Sequence, residues 1–231
     1  MNHPLPRDLR PRRVDQLLSQ VKSESSIPSR IEKLSRYFLG RAYQADPLIG
    51  SANKAEVFTA SLDAFDCVTY IETVLALSCA RNVDDFTARL RKIRYERGVV
   101  QWQRRNHYMT LWIRNNVREG LLRPVSIPAV PTVTTDRVLN VVPGLAPRRT
   151  RMKCVPKRAV PRLARYLQTG DLIFFASTRK HLDIFHAGII VRDRGKVLMR
   201  HASRSQGGVV EQELSDFLKA NRMTGVIVVR P

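Results

Sequence analysis

Apolar residues recur at helical spacing in four stretches of the first hundred residues. Val14, Leu17, Leu18 and Val21 form one stripe, which predicts a short docking helix inside a basic N-terminal extension over 1–26. Ile31, Leu34 and Phe38 form a second. Ser29-Arg30-Ile31-Glu32 has the S-x-x-E spacing of a capping box and Gly40 follows as a stop, so a helix is expected over about 30–39. From Asp66 onward Val68, Ile71, Val74 and Leu75 are flanked by apolar residues nearly all round, which is how a buried helix reads. Asn82 is a fitting N-cap for a fourth helix over 83–94.

Beyond residue 124 the pattern changes. The stretch 124–161 is rich in Pro, Val and Arg, and its β-like pieces at 131–135 and 138–142 predict short strands joined by irregular loops. Four later runs, 171–176, 183–191, 196–202 and 225–230, are apolar, β-branched and bounded by Gly, Asp or Arg, the signs of an antiparallel sheet. Helices first and strands later predict an α+β domain over 27–231, with the helices packed on one face of the sheet.

Composition narrows the class. Hydrophobic residues at 43% and charged residues at 26% match globular usage and disfavour collagen-like, coiled-coil or disordered chains. Charge is the exception: 40 Lys and Arg against 20 Asp and Glu give +20. Such a chain concentrates on polyanions, and nucleic acid, anionic lipid and anionic envelope polymers would all attract it in a salt-dependent way. No apolar run approaches the roughly 18 residues of a spanning helix, so no membrane span is expected. The basic start, 1–13, lacks the apolar stretch of a signal peptide. Cys67, Cys79 and Cys154 include no C-x-x-C pair, so neither a disulfide framework nor a zinc site is indicated, and no metal or cofactor is expected.

Chemistry can start at Cys67. A cysteine at the first turn of a helix meets backbone N–H groups and the helix dipole, which favour a thiolate nucleophile; in an apolar helix it is otherwise a small core residue. Two histidines could activate it. Asp193-Arg194-Gly195 reads as a turn between two strands. A turn centred on Asp193 and Arg194 makes paired positions sum to 387 and sets His186 opposite His201, close enough for one imidazole to orient the other. Aligned histidines in an apolar sheet are costly unless their ring nitrogens find partners. A thiol, an imidazole and an orienting group make up the constellation of cysteine hydrolases, with the Cys67 backbone N–H as first oxyanion donor. Glu72 is expected in a structural ion pair, Asp183 at a strand start, and Trp102 and Trp112 in core packing.

The segment Phe65-Asp66-Cys67-Val68-Thr69-Tyr70-Ile71-Glu72 resembles the nucleophile motif of the N-acetylmuramoyl-L-alanine amidase-like family, a branch of the NlpC-like papain-fold cell-wall hydrolases. Further stretches agree in order: Leu34-Ser35 with Phe38-Leu39-Gly40 and Tyr43, Arg105-Asn106-His107-Tyr108 with Trp112, and Gly170-Asp171-Leu172-Ile173. His186-Ala187-Gly188-Ile189, His201-Ala202-Ser203 and Gly225-Val226-Ile227-Val228-Val229-Arg230 complete the match, which covers about 30–230.

The resemblance implies a papain-like core, a helix carrying the nucleophile packed on a sheet carrying both histidines. It implies Cys67 as nucleophile, His186 as general base and acid, and His201 as the third member that fixes the imidazole. Tyr43 is implied as a site-lining residue that helps polarise the scissile carbonyl, although it stands 24 residues before Cys67, farther than in the simplest relatives. Asp66 either holds a substrate amine or caps its helix; Arg105, Asn106 and His107 form either a pocket wall or a structural cluster. The implied substrate is peptidoglycan or its muropeptides, cut through a thioester at the lactyl–L-Ala amide or after D-Glu. The place of action is then the periplasm, the cell envelope or the outside. That requires a trimmed leader or a specialised export route, the latter fitting an antibacterial effector with a cognate inhibitor protein; work on recycled fragments inside the cell is the remaining alternative. Lipid acyl transfer within the same superfamily and non-enzymatic binding of nucleic acid or another polyanion are the competing classes.

Overall fold

The computed structural model describes residues 5–231. It is a mixed α+β fold with seven α-helices and twelve strands among those residues. The chain divides into two compact units: one holds the chain up to Asn106 together with Ala202–Val210, the other His107–His201 together with Glu211–Pro231. None of the described helices is long and apolar enough to cross a membrane.

The first unit runs α1 (Pro11–Gln20), α2 (Ile27–Tyr37), β1 (Ala42–Tyr43), β2 (Ile49–Ser51), β3 (Lys54–Val57), β4 (Ala64–Phe65), α3 (Cys67–Cys79) and α4 (Val83–Arg94). The expected stripe of α1 is buried at Val14, Leu17 and Leu18, and α1 packs on α3 and α4. In α2 the start differs from expectation. Ser26, not Ser29, is the N-cap, its hydroxyl accepting from the Ser29 N–H at 3.2 Å. Pro28 lies in the first turn, where its missing N–H costs nothing and its fixed φ suits the helix, so the helix begins at Ile27, two residues before the S-x-x-E stretch. Glu32 is released from capping and pairs with Arg36 one turn on, at 2.6 Å.

Ten consecutive residues of α3, Thr69–Ser78, are buried, and α4 starts on Asn82, whose side chain accepts from the Asp85 N–H at 2.8 Å. Glu72 and Arg94 join the two helices through a 2.7 Å ion pair, each side chain 2% exposed. Arg94 also donates to the Thr59 carbonyl at 2.6 Å. Glu72 is thus the structural residue that its place in the helix suggests.

The second unit contains α5 (Met109–Arg118), β5 (Arg123–Pro124), β6 (Val133–Leu139), β7 (Arg148–Pro156), α6 (Val160–Leu163), β8 (Leu172–Ala176), β9 (Ile184–Asp193), β10 (Lys196–Ser203), β11 (Gly208–Glu213), α7 (Leu214–Ala220) and β12 (Gly225–Arg230). The end of β10 and the start of β11 count with the first unit, where Gly208 pairs with Ala42 of β1. Six strands lie in the order β10-β9-β8-β12-β7-β6, antiparallel throughout. Val160, Leu163, Ile173, Phe175, Ile190, Met199, Phe217, Val226 and Val228 fill the core on this sheet.

Two expectations are corrected in this unit. The pieces at 131–135 and 138–142 are one strand, β6, because Asp136 and Arg137 continue the ladder opposite Arg151 and Thr150 instead of breaking it. The β9–β10 register sums to 389, not 387: Lys196 faces Asp193 and Arg200 faces Ile189. The turn is centred on Arg194 and Gly195, whose φ values of 44° and 83° are both left-handed. A two-residue hairpin turn of the I′ type needs that combination, and Gly at its second position supplies it without steric cost.

Candidate active site

Cys67 is the first residue of α3 and is half-buried. The chain turns sharply into the helix there because Asp66 caps it reciprocally with Thr69. One Asp66 carboxylate oxygen accepts from the Val68 N–H at 3.0 Å, the Thr69 N–H at 2.7 Å and the Thr69 hydroxyl at 2.8 Å. The Asp66 N–H in turn donates to that hydroxyl at 3.1 Å. Of the two roles expected for Asp66, capping is the one visible. Phe65, immediately before it, is fully buried against Phe38 and Tyr70, with ring centroids 5.0 and 5.9 Å away. The Tyr70 hydroxyl donates to the Ser35 carbonyl at 3.1 Å, tying α3 to α2. The nucleophile position is therefore anchored on both sides, by aromatic packing before it and a buried helix after it.

Tyr43 belongs to the same group. β1 pairs in parallel with β4, Tyr43 against Phe65, and the Gln44 N–H donates to the Phe65 carbonyl at 2.9 Å. The 23 residues between Tyr43 and Cys67 form an excursion that includes the β2–β3 hairpin and returns to pair β4 with β1, so the long spacing does not separate the two in space. Burial, then the proximity of Cys67 and of the Asp66 carboxylate, raises the Tyr43 phenol above its ordinary range, with Arg204 opposing. Its hydroxyl stays a proton donor at neutral pH.

The histidines form the second group, on β9 and β10. In the observed register His201 is one diagonal step from His186 instead of directly across, and the even slip keeps both on one face of the sheet. His186 Nε2 lies 2.7 Å from His201 Nδ1, the rings perpendicular with centroids 4.7 Å apart. Phe217 of α7 stacks on the His186 ring at 5.2 Å and presents its edge to His201 at 5.5 Å. Phe175, opposite His186 on β8, stacks on it at 6.3 Å. In this apolar setting burial, and then the neighbouring His201, lowers the His186 pKa from 6.5 to about 3, and burial lowers that of His201 to about 4. Both rings are neutral at pH 7. His201 is only 2% exposed and its Nε2 has no hydrogen-bond partner among the described residues. Phe217 had no mark in the sequence beyond an apolar residue in a short run.

Arg105, Asn106 and His107 separate. Arg105 makes a forked pair with the buried Glu56 carboxylate at 2.9 and 2.5 Å, and its guanidinium lies 4.6 Å from the Trp102 ring. Glu56 also accepts from the Tyr95 hydroxyl at 2.7 Å. Asn106 is buried, its side chain donating to the Ile93 carbonyl at 3.1 Å and its N–H to that of Arg94 at 2.9 Å. His107 is half-buried. Trp112 is fully buried against Phe174. Asp183 is more than a strand start: its buried carboxylate accepts from the Thr110 N–H and hydroxyl at 2.7 and 2.8 Å, capping α5 from 73 residues away.

Comparison with known proteins gives one family. The model of the N-acetylmuramoyl-L-alanine amidase-like family matches residues 33–226. A solved structure of a Legionella pneumophila protein superposes with a TM-score of 0.85 at 21% identity, over 95% of this chain and 93% of that one. An N-acetylmuramoyl-L-alanine amidase from Bacteroides uniformis superposes with a TM-score of 0.78 at 26% identity, over 88% and 98%. A candidate xylanase from Bacteroides fragilis does so with 0.73 at 26%, over 86% and 99%. No curated protein sequence matches.

Proposed function

Because the chain belongs to the N-acetylmuramoyl-L-alanine amidase-like family, we propose that it is a papain-like cysteine hydrolase cutting an amide of peptidoglycan or its muropeptides. The observation that carries this reading is the 2.7 Å contact of His186 with His201 inside an apolar clamp. An unused pair of neutral imidazoles would be an expensive way to fill a core. A general base, by contrast, needs a neutral ring held by a second group.

The tautomer follows from that role. With both rings neutral, one nitrogen of the contact donates and the other accepts. If His186 Nε2–H donates to His201 Nδ1, the Nδ1 lone pair of His186 is left to accept a proton, and His201 carries its remaining proton on Nε2. In the reaction Cys67 Sγ attacks the scissile carbonyl carbon while its proton passes to His186 Nδ1. The oxyanion is met by the Cys67 N–H at the start of α3, where the helix dipole favours negative charge, and by the Tyr43 hydroxyl. His186 then gives the proton to the leaving amine, the C–N bond breaks and a thioester remains. Water, deprotonated by the same nitrogen, releases the acid and restores the thiol.

The first bond to test is the one in the name of the Bacteroides uniformis relative, between the muramic lactyl group and L-Ala; the bond after D-Glu is the second. Such a substrate sets the place of action at the cell envelope or on its released fragments. Xylan hydrolysis fits poorly, since glycoside cleavage uses a pair of carboxylates and the groups invoked here are a thiol and two imidazoles. The test incubates the protein and its Cys67→Ala variant with muropeptides and sacculi and identifies products by mass spectrometry. Release of whole stem peptides by wild type alone supports the amidase; release of only the portion after D-Glu supports an endopeptidase. No cleavage by either protein overturns the reading.

A further inference from the structure

The positive charge is not evenly spread. Residues 133–158, the β6–β7 hairpin and its exit, hold seven Lys or Arg and a single acid, Asp136. Along β7 exposure alternates: Arg149, Arg151 and Lys153 are exposed, while Thr150, Met152 and Cys154 between them are buried. Alternate residues of a strand point to the same side about 6.6–6.8 Å apart, so three cations stand in a row on one solvent face. Thr134, Asp136 and Val138 of β6 lie opposite Lys153, Arg151 and Arg149 and complete that face. An open groove of about 550 Å³ lies at its Arg149–Arg151 end, lined by Asp136, Arg137, Val138, Arg149, Thr150 and Arg151. Arg137 turns the other way, donating to the Ser177 carbonyl at 2.9 Å. Arg151 meets Asp136 at 3.2 Å, but both side chains are 77% exposed, so the pair contributes little and is readily exchanged for an external anion.

We propose that this face of the hairpin is a binding site for a linear phosphodiester polymer whose phosphates are bridged by polyol units, an envelope-type polyanion. The match is one of period and charge: successive phosphates joined through three carbons repeat at about the spacing of alternate strand residues, and two of the three cations are arginines, whose flat fork suits phosphate oxygens. A nucleic-acid backbone has the same repeat, but its single strands are held by aromatic side chains that stack the bases. Residues 124–165 contain no Phe, Tyr or Trp, and the face itself offers only Thr134, Val138 and charged groups. The ladder fits a polyanion without bases. The site is independent of the hydrolase reading, so binding should survive Cys67→Ala.

The test uses full-length protein and a fluorescent poly(glycerol phosphate) chain of about twenty repeats, titrated at several salt concentrations. Three phosphate contacts on a flexible strand give a log–log salt slope of about −2. Arg149→Gln, Arg151→Gln and Lys153→Gln together should remove about that much slope and weaken binding at least tenfold at low salt. A control triple of equally exposed cations, Arg12→Gln, Lys22→Gln and Lys54→Gln, should leave the slope nearly intact. Asp136→Asn, which deletes no cation, should tighten binding severalfold and guards against an unfolded triple variant. Equal losses in both triples would reduce the effect to net charge and overturn the proposal, as would an Asp136→Asn protein that binds like wild type. Tenfold tighter binding of single-stranded DNA of matched charge would overturn it in favour of nucleic acid.

Discussion

His186 Nε2 and His201 Nδ1 meet at 2.7 Å across a diagonal of the β9–β10 ladder, the two rings perpendicular. In the proposed mechanism an acceptor at the His201 position would hold the Nε2–H tautomer of His186 and leave Nδ1 to take a proton. Asn places its side-chain oxygen close to where Nδ1 of a histidine lies, so His201→Asn keeps the acceptor that His201→Ala deletes. Amide hydrolysis should fall by about 10²–10⁴ in kcat for His186→Ala. It should fall on the order of tenfold or more for His201→Ala and be partly restored in His201→Asn. Rescue is the deciding reading: equal losses in the Ala and Asn variants would mean that the ring is needed for packing, not for its acceptor.

The same burial has a cost in acid. A histidine whose pKa is lowered on folding binds its proton first in the unfolded chain, so the unfolded state gains as pH falls below about 6.5. The native pair resists protonation until about pH 4 to 3. Stability should be full above about pH 7 and decline steadily between pH 6.5 and 4, read as the urea midpoint at fixed temperature. Phe217→Ala, which opens the clamp to water, should flatten that decline and move the acid limb of kcat/KM upward towards the ordinary histidine range. A midpoint that rises on acidification would contradict neutral buried rings.

Where the sequence was legible, the determinant was local. The α3 and α4 starts were readable because Asp66 and Asn82 cap them directly, and the antiparallel tail was readable because its runs are apolar and punctuated. What was hidden depends on partners far along the chain. Helix α5 has no side-chain cap on its own segment and carries Asn115 and Asn116 inside; Asp183 supplies the cap. The two-residue strands β1 and β4 are too short for any periodicity and exist because Tyr43 and Phe65 pair. The histidine adjacency was readable and its register was not, since a turn one position along shifts every pair by two while keeping each face. Of the candidate site, Cys67, Tyr43 and Asp66 come together in one group and the histidines in another, whereas Arg105 and Asn106 are spent on Glu56 and on the backbone of α4.

Glu72 and Arg94 are both almost fully buried, and removing one partner strands the other's charge. Glu72→Gln or Arg94→Met should each cost about 3–5 kcal/mol, measured by urea denaturation. Glu72→Leu combined with Arg94→Met should recover most of that loss, because two apolar chains leave no charge unpaired. If the double variant is as unstable as the sum of the singles, the Arg94 bond to the Thr59 carbonyl, and not the ion pair, is the main contribution.

Asp66 offers a cleaner separation of structure from chemistry. Asn caps a helix about as well as Asp, whereas Ala does not and costs about 1 kcal/mol. Asp66→Asn should therefore keep the melting temperature while Asp66→Ala lowers it. If the carboxylate only caps, Asp66→Asn also keeps kcat/KM on muropeptides within about tenfold. A larger loss confined to KM, in a protein of unchanged stability, would assign the charge to a substrate amine.

The β9–β10 turn carries its own test, because its two central residues both have positive φ and only one is glycine. Arg194 holds a left-handed conformation that costs an ordinary side chain about 1–2 kcal/mol. Asn tolerates that region, and Asn-Gly is the preferred pair for a I′ turn. Arg194→Asn should stabilise the protein by about 0.5–1 kcal/mol, a rise in Tm of a few degrees, with unchanged hydrolytic activity because the histidine register is reinforced. Gly195→Ala should lower Tm, since the added methyl disfavours φ of 83°. If the turn were centred one residue earlier, on Asp193 and Arg194, Gly195 would sit outside it and its replacement would cost little, so the two variants together distinguish the 389 register from the 387 one.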